Sequence, residues 1–101
     1  MFIYNVTIKI EPSINGAWVQ WMQTTHIPDV MATNCFTHHQ FVKLLEVDET
    51  DGITYAVQYY AESKAKYNKY IEQFATQLRE ASFKVWGNKF IAFRSIMQVV
   101  N

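Results

Sequence analysis

Residues 2–10 alternate between two sets of positions. Phe2, Tyr4, Val6, Ile8 and Ile10 form one, and Ile3, Asn5, Thr7 and Lys9 form the other. A period of two marks a strand with one face turned to a core, and Glu11-Pro12-Ser13 ends it. From Ser13 the period lengthens. Ile14, Trp18, Trp21, Met22 and Thr25 fall at helical spacing, while Gly16 weakens the first turn and moves the expected start a little later. Pro28 disfavours a helical Ile27 and predicts a fresh helical turn beginning at its own position. Asn34 suits the left-handed residue that closes such a turn.

A second strand is expected within residues 38–47, followed by the acidic loop Asp48-Glu49-Thr50-Asp51-Gly52, whose Asp51-Gly52 pair signals a hairpin. The third strand, Ile53 to Ala61, sets Ile53, Tyr55, Val57 and Tyr59 on one face and Thr54, Ala56, Gln58 and Tyr60 on the other. Ser63 is the expected N-cap of a long helix with Tyr67, Tyr70, Ile71, Phe74, Leu78 and Ala81 as its apolar stripe. Gly87-Asn88 breaks the chain before a last strand, Lys89 to Val100. The order β-α-β-β-α-β, without linker or repeat, predicts a single α+β domain over residues 1–101. This is the ferredoxin-like arrangement, an antiparallel four-stranded sheet with two helices on one face. If Tyr4, Val6, Tyr55, Val57, Ile91 and Phe93 turn toward the helices, the opposite face carries Ile3, Asn5, Thr7, Gln58, Tyr60, Ala92, Arg94 and Ile96. That mixture is too apolar for open water and too polar for a dry core, so a second subunit is expected to cover it.

Composition points the same way. Half of the 101 residues are hydrophobic, and seven Phe, six Tyr and three Trp exceed what one small core readily buries. A homodimer through the sheet face is the economical expectation. Nine basic and nine acidic residues give zero net charge, which leaves no electrostatic footprint for nucleic acid or anionic lipid. RNA-recognition modules share this element order, but their third strand opens with a basic residue, Gly and aromatics. Here it reads Asp51-Gly52-Ile53-Thr54-Tyr55, so nucleic acid is rejected as a partner. Lys64, Lys66 and Lys69 read as a solvated helix face. No apolar run is long enough to span a bilayer. The start Met1-Phe2-Ile3-Tyr4-Asn5 lacks a secretion signal, and the single Cys35 fits a reducing compartment. A cytoplasmic protein is expected.

The element order, together with W-x2-W-M-x3-H-I-P-D-V between Trp18 and Val30, resembles the dimeric α/β-barrel superfamily. The resemblance is nearest to a family of short bacterial proteins of unknown function. It is carried by Tyr4-Asn5-Val6-Thr7, Trp18 to Phe36, Tyr55-Ala56-Val57-Gln58-Tyr59-Tyr60 and Lys89-Phe90-Ile91-Ala92-Phe93-Arg94, nearly the whole chain. It implies a homodimer whose sheets face each other and a pocket in each subunit. The superfamily includes cofactor-independent monooxygenases, haem-degrading enzymes, isomerases and proteins without known chemistry. Trp21 and His26 are similar to the Trp-x4-His helix motif of the ethyl-tert-butyl-ether-degradation branch. Asn5 matches the strand asparagine of haem-degrading members, but those also need a histidine on the second helix, and residues 63–86 contain none.

The candidates for chemistry follow. His26 is the expected acid or base, with Asp29 holding one ring nitrogen; its other reading is a helix-end cap or an aromatic contact. Trp18 and Trp21 wall a ligand pocket or simply pack the core. Arg94, alone in the apolar run F-I-A-F-R-S-I-M, anchors a ligand carboxylate or pairs with an acid across a dimer interface. Asn5, Gln58 and Tyr60 orient a small polar ligand or hydrogen-bond within the sheet. His38 and His39 are neighbours on a strand and point to opposite faces, so they cannot grip one ion, and no zinc spacing occurs. No metal and no cofactor is expected. The resulting expectation is a homodimer that binds or transforms a small aromatic or carboxylated metabolite in a cleft between the first helix and the sheet. Its alternative is a non-catalytic dimerisation module with no ligand cavity.

Overall fold

The strand β1 (Phe2–Ile10) is hydrogen-bonded along its whole length on both sides in the computed structural model, which describes residues 1–101. Its neighbours are β3 (Ile53–Ala61) and β4 (Phe90–Gln98), and β2 (His38–Lys43) completes the sheet at the far edge of β3. The order is β2-β3-β1-β4, antiparallel throughout. The fold is therefore α+β and ferredoxin-like. None of its helices is long and apolar enough to cross a membrane.

The alternation read from β1 and β3 sets the core. Tyr4, Val6, Ile8 and Ile10 of β1 and Tyr55, Val57, Tyr59 and Ala61 of β3 are buried under the helices. Trp18, 1 % exposed, closes the core from above, with ring centroids 5.2 Å from Tyr55 and 5.8 Å from Phe41. At the other end Tyr4 gathers Phe36, Tyr59, Tyr67 and Tyr70 around its ring at 5.6 to 6.2 Å. Such offset and tilted contacts suit aromatic quadrupoles. A hydrogen bond from the Tyr55 hydroxyl to the Asn15 side chain ties β3 to the first helix.

The first helical segment begins with a 3-10 turn at Pro12–Ile14 and continues as α1 (Asn15–Trp21). It does not stop at Ile27. A π turn, Met22–His26, follows directly and leads into α2 (Ile27–Met31), with Ile27 itself helical at φ −61° and ψ −44°. Proline removes a ladder hydrogen bond and crowds the carbonyl one turn back. The wider turn, closed by the Ile27 N–H on the Met22 carbonyl, loosens the ladder where the Pro28 ring needs room, so the chain bends past Pro28 rather than breaking. Asn34 closes the segment at φ 62°.

The second helical region is capped as expected, the Ser63 hydroxyl accepting from the Lys66 N–H at 3.2 Å. It then divides into α3 (Lys64–Gln73) and α4 (Ala75–Trp86) at Phe74, whose φ of −127° is off helical. The kink advances the buried stripe by one residue: Ala75 is 1 % exposed, whereas Ala81 lies at the surface. Gly87, at φ 62°, ends α4 where a side chain would be strained.

Two further expectations change. The β2–β3 connection is a loop from Leu44 to Gly52, not a tight Asp51-Gly52 hairpin; Glu46 adopts φ 59° and Asp48 accepts from the Thr50 N–H at 2.9 Å. Glycine at 52 answers a close approach, because a Cβ there would lie 2.6 Å from the Ile10 carbonyl oxygen. The faces of β4 are also the reverse of those expected. Val6 lies opposite Arg94 and Ile8 opposite Ala92, so Phe90, Ala92, Arg94 and Ile96 share the helix side. Ile91, Phe93, Ser95 and Met97 face outward. Both sets are largely apolar, so alternation within β4 did not decide the parity; pairing with β1 did.

Gly16 and Gly52 give opposite expectations. Gly16→Ala, whose new Cβ meets nothing within 4 Å, should raise stability by about 0.5–1 kcal/mol through helix propensity. Gly52→Ala should lower it by pushing on the Ile10 backbone. Urea unfolding of both variants checks this, and a stabilised Gly52→Ala would contradict the close approach.

Candidate functional site

The sheet has two faces with different chemistry. On the outer face β-pairing aligns Gln40 with Gln58, Gln58 with Asn5 and Asn5 with Ser95. An uncharged polar row therefore crosses the full width of the sheet. Rows of more apolar character flank it: His38, Tyr60, Ile3 and Met97 on one side, and Val42, Ala56, Thr7 and Phe93 on the other. Asn5 donates to Thr7 Oγ1 at 3.0 Å and the Tyr60 hydroxyl to Gln58 at 3.3 Å. The His38 ring lies flat on Tyr60, centroids 4.2 Å apart and planes 7° from parallel. Phe93 is 68 % exposed and Ile91 60 %. Asn5, Gln58 and Tyr60 thus stand together, on the face away from the helices.

The inner face holds the titratable groups. His26 ends the π turn, half-buried, with its ring stacked on Trp21 at 5.1 Å; Trp21 in turn meets Trp86 edge-on at 5.9 Å. A small cavity of about 30 Å3 lies beneath it, bounded by Tyr4, Tyr59, Tyr70, Arg79 and Arg94 and floored by Val6, Ile8 and Val57. A second of about 40 Å3 adjoins it, sharing His26, Arg79 and Arg94 and reaching Trp18. A wider surface groove of about 340 Å3 between the π turn and β2 carries a single imidazole, His39, and no cation.

Burial lowers the His26 pKa, Arg94 lowers it further, and Asp29 partly opposes both from the surface of α2. Asp29 acts through space, with no hydrogen bond to the ring. Burial also pushes the Tyr59 and Tyr70 phenols up, so both are neutral donors near pH 7. The charges of Arg79 and Arg94 both bear on Tyr70, and Arg79 donates to the Tyr4 hydroxyl at 3.1 Å. Neither guanidinium has an acidic partner; the one ion pair in the structure, Lys43 with Glu49 at 3.5 Å, joins the end of β2 to the β2–β3 loop. The chemistry on offer is a neutral imidazole able to accept a proton, phenols able to donate hydrogen bonds, and two fixed positive charges.

The eight residues singled out in sequence fall into three places. His26 and Arg94 meet at the inner cavity, with Trp21 behind the imidazole and Trp18 in the wall of the second lobe. Asp29 sits outside it. Asn5, Gln58 and Tyr60 lie across the sheet, where Arg94 was expected to join them and does not. Arg79, Tyr4 and Tyr70 were missed as site residues. Tyr4 and Tyr70 read only as core positions, and Arg79 carried the one available signal, a cation beside Leu78 of the helix stripe. No three His, Cys, Asp or Glu side chains gather as a metal-binding group. Cys35 is buried, its Sγ 3.7 Å from the Thr33 carbonyl.

The fold has parallels among solved structures. A dimeric ferredoxin-like protein from an uncultured marine organism aligns with a TM-score of 0.76 and 10% identity, over 99% of this chain and 95% of the other. An EthD (ethyl tert-butyl ether) family protein from Bacillus halodurans aligns at 0.69 and 12%, over 99% and 100%. A Streptomyces coelicolor monooxygenase in complex with nanaomycin D aligns at 0.59 and 17%, over 99% and 89%. At these identities the likeness is one of fold. No curated protein matches the chain. Its sequence matches the domain of unknown function DUF4286 over residues 1–100, and the chain belongs to that family.

Proposed function

We propose that the protein is a homodimer, paired through the outer sheet face, that binds and acts on a small metabolite in the inner cavity of each subunit, with His26 as the proton acceptor. The observation that carries the reading is the meeting of His26, Arg79, Arg94 and Tyr70 at one cavity. Elements far apart in sequence bring these groups together, and no packing requirement calls for two unpaired cations beside an imidazole. The dimer is supported by the self-complementary outer face, whose amides both donate and accept, and by the dimeric neighbour of like fold. The neighbouring oxygenase with its bound ligand supports a pocket in this fold, not a particular substrate. The lone buried thiol of Cys35 fits a reducing, cytoplasmic setting.

A second reading has its own support. The lobes of about 30 and 40 Å3 each hold roughly two or three water molecules, which favours a dimerisation module that carries no metabolite. Native mass spectrometry of protein purified without additives separates the two. A dimer with a reproducible added mass supports the metabolite reading, and a bare dimer moves the balance to the module.

Sedimentation equilibrium at micromolar concentration should give twice the chain mass of 11.9 kDa. Phe93→Glu, which sets a charge in the outer face, should return the monomer. A wild-type monomer would sink the dimer.

Stability should depend on pH through His26. The unfolded imidazole titrates near 6.5, and the folded one below that. Between the two values only the unfolded chain takes up the proton, so stability is full above about pH 6.5 and declines as pH falls toward the folded value. Urea unfolding at neutral and mildly acid pH should show this slope in the wild type and a shallower one in His26→Gln. Equal slopes would mean that His26 is not held neutral by its surroundings.

A further inference from the structure

We propose that the inner cavity takes the carboxylate group of a small aliphatic acid, gripped between the guanidinium groups of Arg79 and Arg94. The inference rests on the cavity being a ligand site and adds the class of ligand.

Charge comes first. Two arginines converge on one cavity without a carboxylate, while the nine acidic residues of the chain supply their single ion pair elsewhere. Like charges held close together repel, and a bound anion relieves that repulsion. Geometry comes next. The planar guanidinium fork matches the two oxygens of a carboxylate. Arg79 is already oriented, since one of its nitrogens donates to Tyr4 at 3.1 Å. Both arginines are exposed on the side where β4 forms the sheet edge, so an acid entering from that edge meets them first. Tyr70 lines the same cavity as both cations.

Size and wall chemistry then narrow the class. Tyr4, Tyr59, Tyr70 and Phe36 already pack ring against ring, and lobes of about 30 and 40 Å3 leave no room for a further ring. The remaining walls, Val6, Ile8, Met22, Val30 and Val57, suit a short hydrocarbon body. They penalise a doubly charged, tetrahedral phosphate, which needs more hydration than two guanidinium groups replace. His26 lines both lobes as well.

The test is an NMR titration of the full chain, reading the His26 ring and the arginine side-chain resonances. Three probes are compared at constant ionic strength: isobutyrate, the neutral isobutyramide of the same shape, and inorganic phosphate. Isobutyrate should give saturable shifts, with the amide and phosphate weaker by about tenfold or more, as expected when charge-assisted bidentate bonds are lost. Arg79→Gln and Arg94→Gln should each weaken isobutyrate to a similar degree, with circular dichroism unchanged. Arg94→Lys, which keeps the charge and is the milder change if Arg94→Gln misfolds, should recover part of the affinity.

Amide binding as tight as the acid would overturn the clamp while leaving a ligand cavity. Phosphate binding as tight as isobutyrate would replace the carboxylate by a general oxyanion. Undiminished isobutyrate binding in Arg94→Gln or Arg94→Lys would move the anion elsewhere. No shift from acid or amide would remove both the clamp and the ligand reading beneath it.

Discussion

The structure hangs on β1. Each of its nine residues is opposed by a partner in β3 and another in β4, so its alternation is imposed on the strands beside it. Tyr4, Val6, Ile8 and Ile10 set the height of the core, and the helices pack to whatever surface they present. The same strand also fixes the two chemical faces. Because Val6 pairs with Arg94 and Asn5 with Ser95, one register sends the guanidinium toward the imidazole and keeps the amide row clear of charge. A one-residue slip of β4 would exchange Arg94 for Ser95 on the inner face and put a cation in the middle of the outer one.

That separation of charge from amides matters energetically. An outer face of Gln40, Gln58, Asn5 and Ser95 flanked by apolar rows can be covered by a copy of itself, since every amide brings both a donor and an acceptor. A guanidinium there would need an acidic partner or would be left desolvated at a cost of several kcal/mol. On the inner side the cations stay near the open edge of the sheet, where water shares their hydration, and only the uncharged imidazole and phenols go deeper. The depth of each group follows the cost of burying its charged form.

Much of this was legible in the chain. β1 and β3 alternate, Ser63 and Asn34 are local signals whose chemistry acts within a few residues, and the element order read from such signals is that of the ferredoxin-like fold. What failed needed partners that lie far away. The parity of β4 is undetermined by F-I-A-F-R-S-I-M, because either set of alternate residues makes an acceptable buried face. Gly52 reads as a turn glycine, yet its constraint is a carbonyl forty-two residues earlier, at Ile10. The kink at Phe74 is invisible to a stripe drawn at 3.6 residues per turn. His26 and Arg94 read as two separate candidates, and nothing near Arg79 in the chain signals that it reaches Tyr4, seventy-five residues away.

The π turn at Met22–His26 has a consequence at the level of the gene. Such a turn is a regular helix with one residue too many, so losing any single codon within it would leave a well-formed α-helix. The turns on either side would stay nearly where they are, because the wide turn sweeps about the same angle with its extra residue as an ordinary turn does without it. Losing Gln23, Thr24 or Thr25 would leave His26 beside Trp21 and Ile27 and Val30 in the core, but Pro28 would lose its slack and crowd the carbonyl one turn back. The extra residue therefore serves the proline rather than the register of the helix. A deletion here would spare the pattern of faces and cost stability at Pro28, and a second change that removed the proline would restore it.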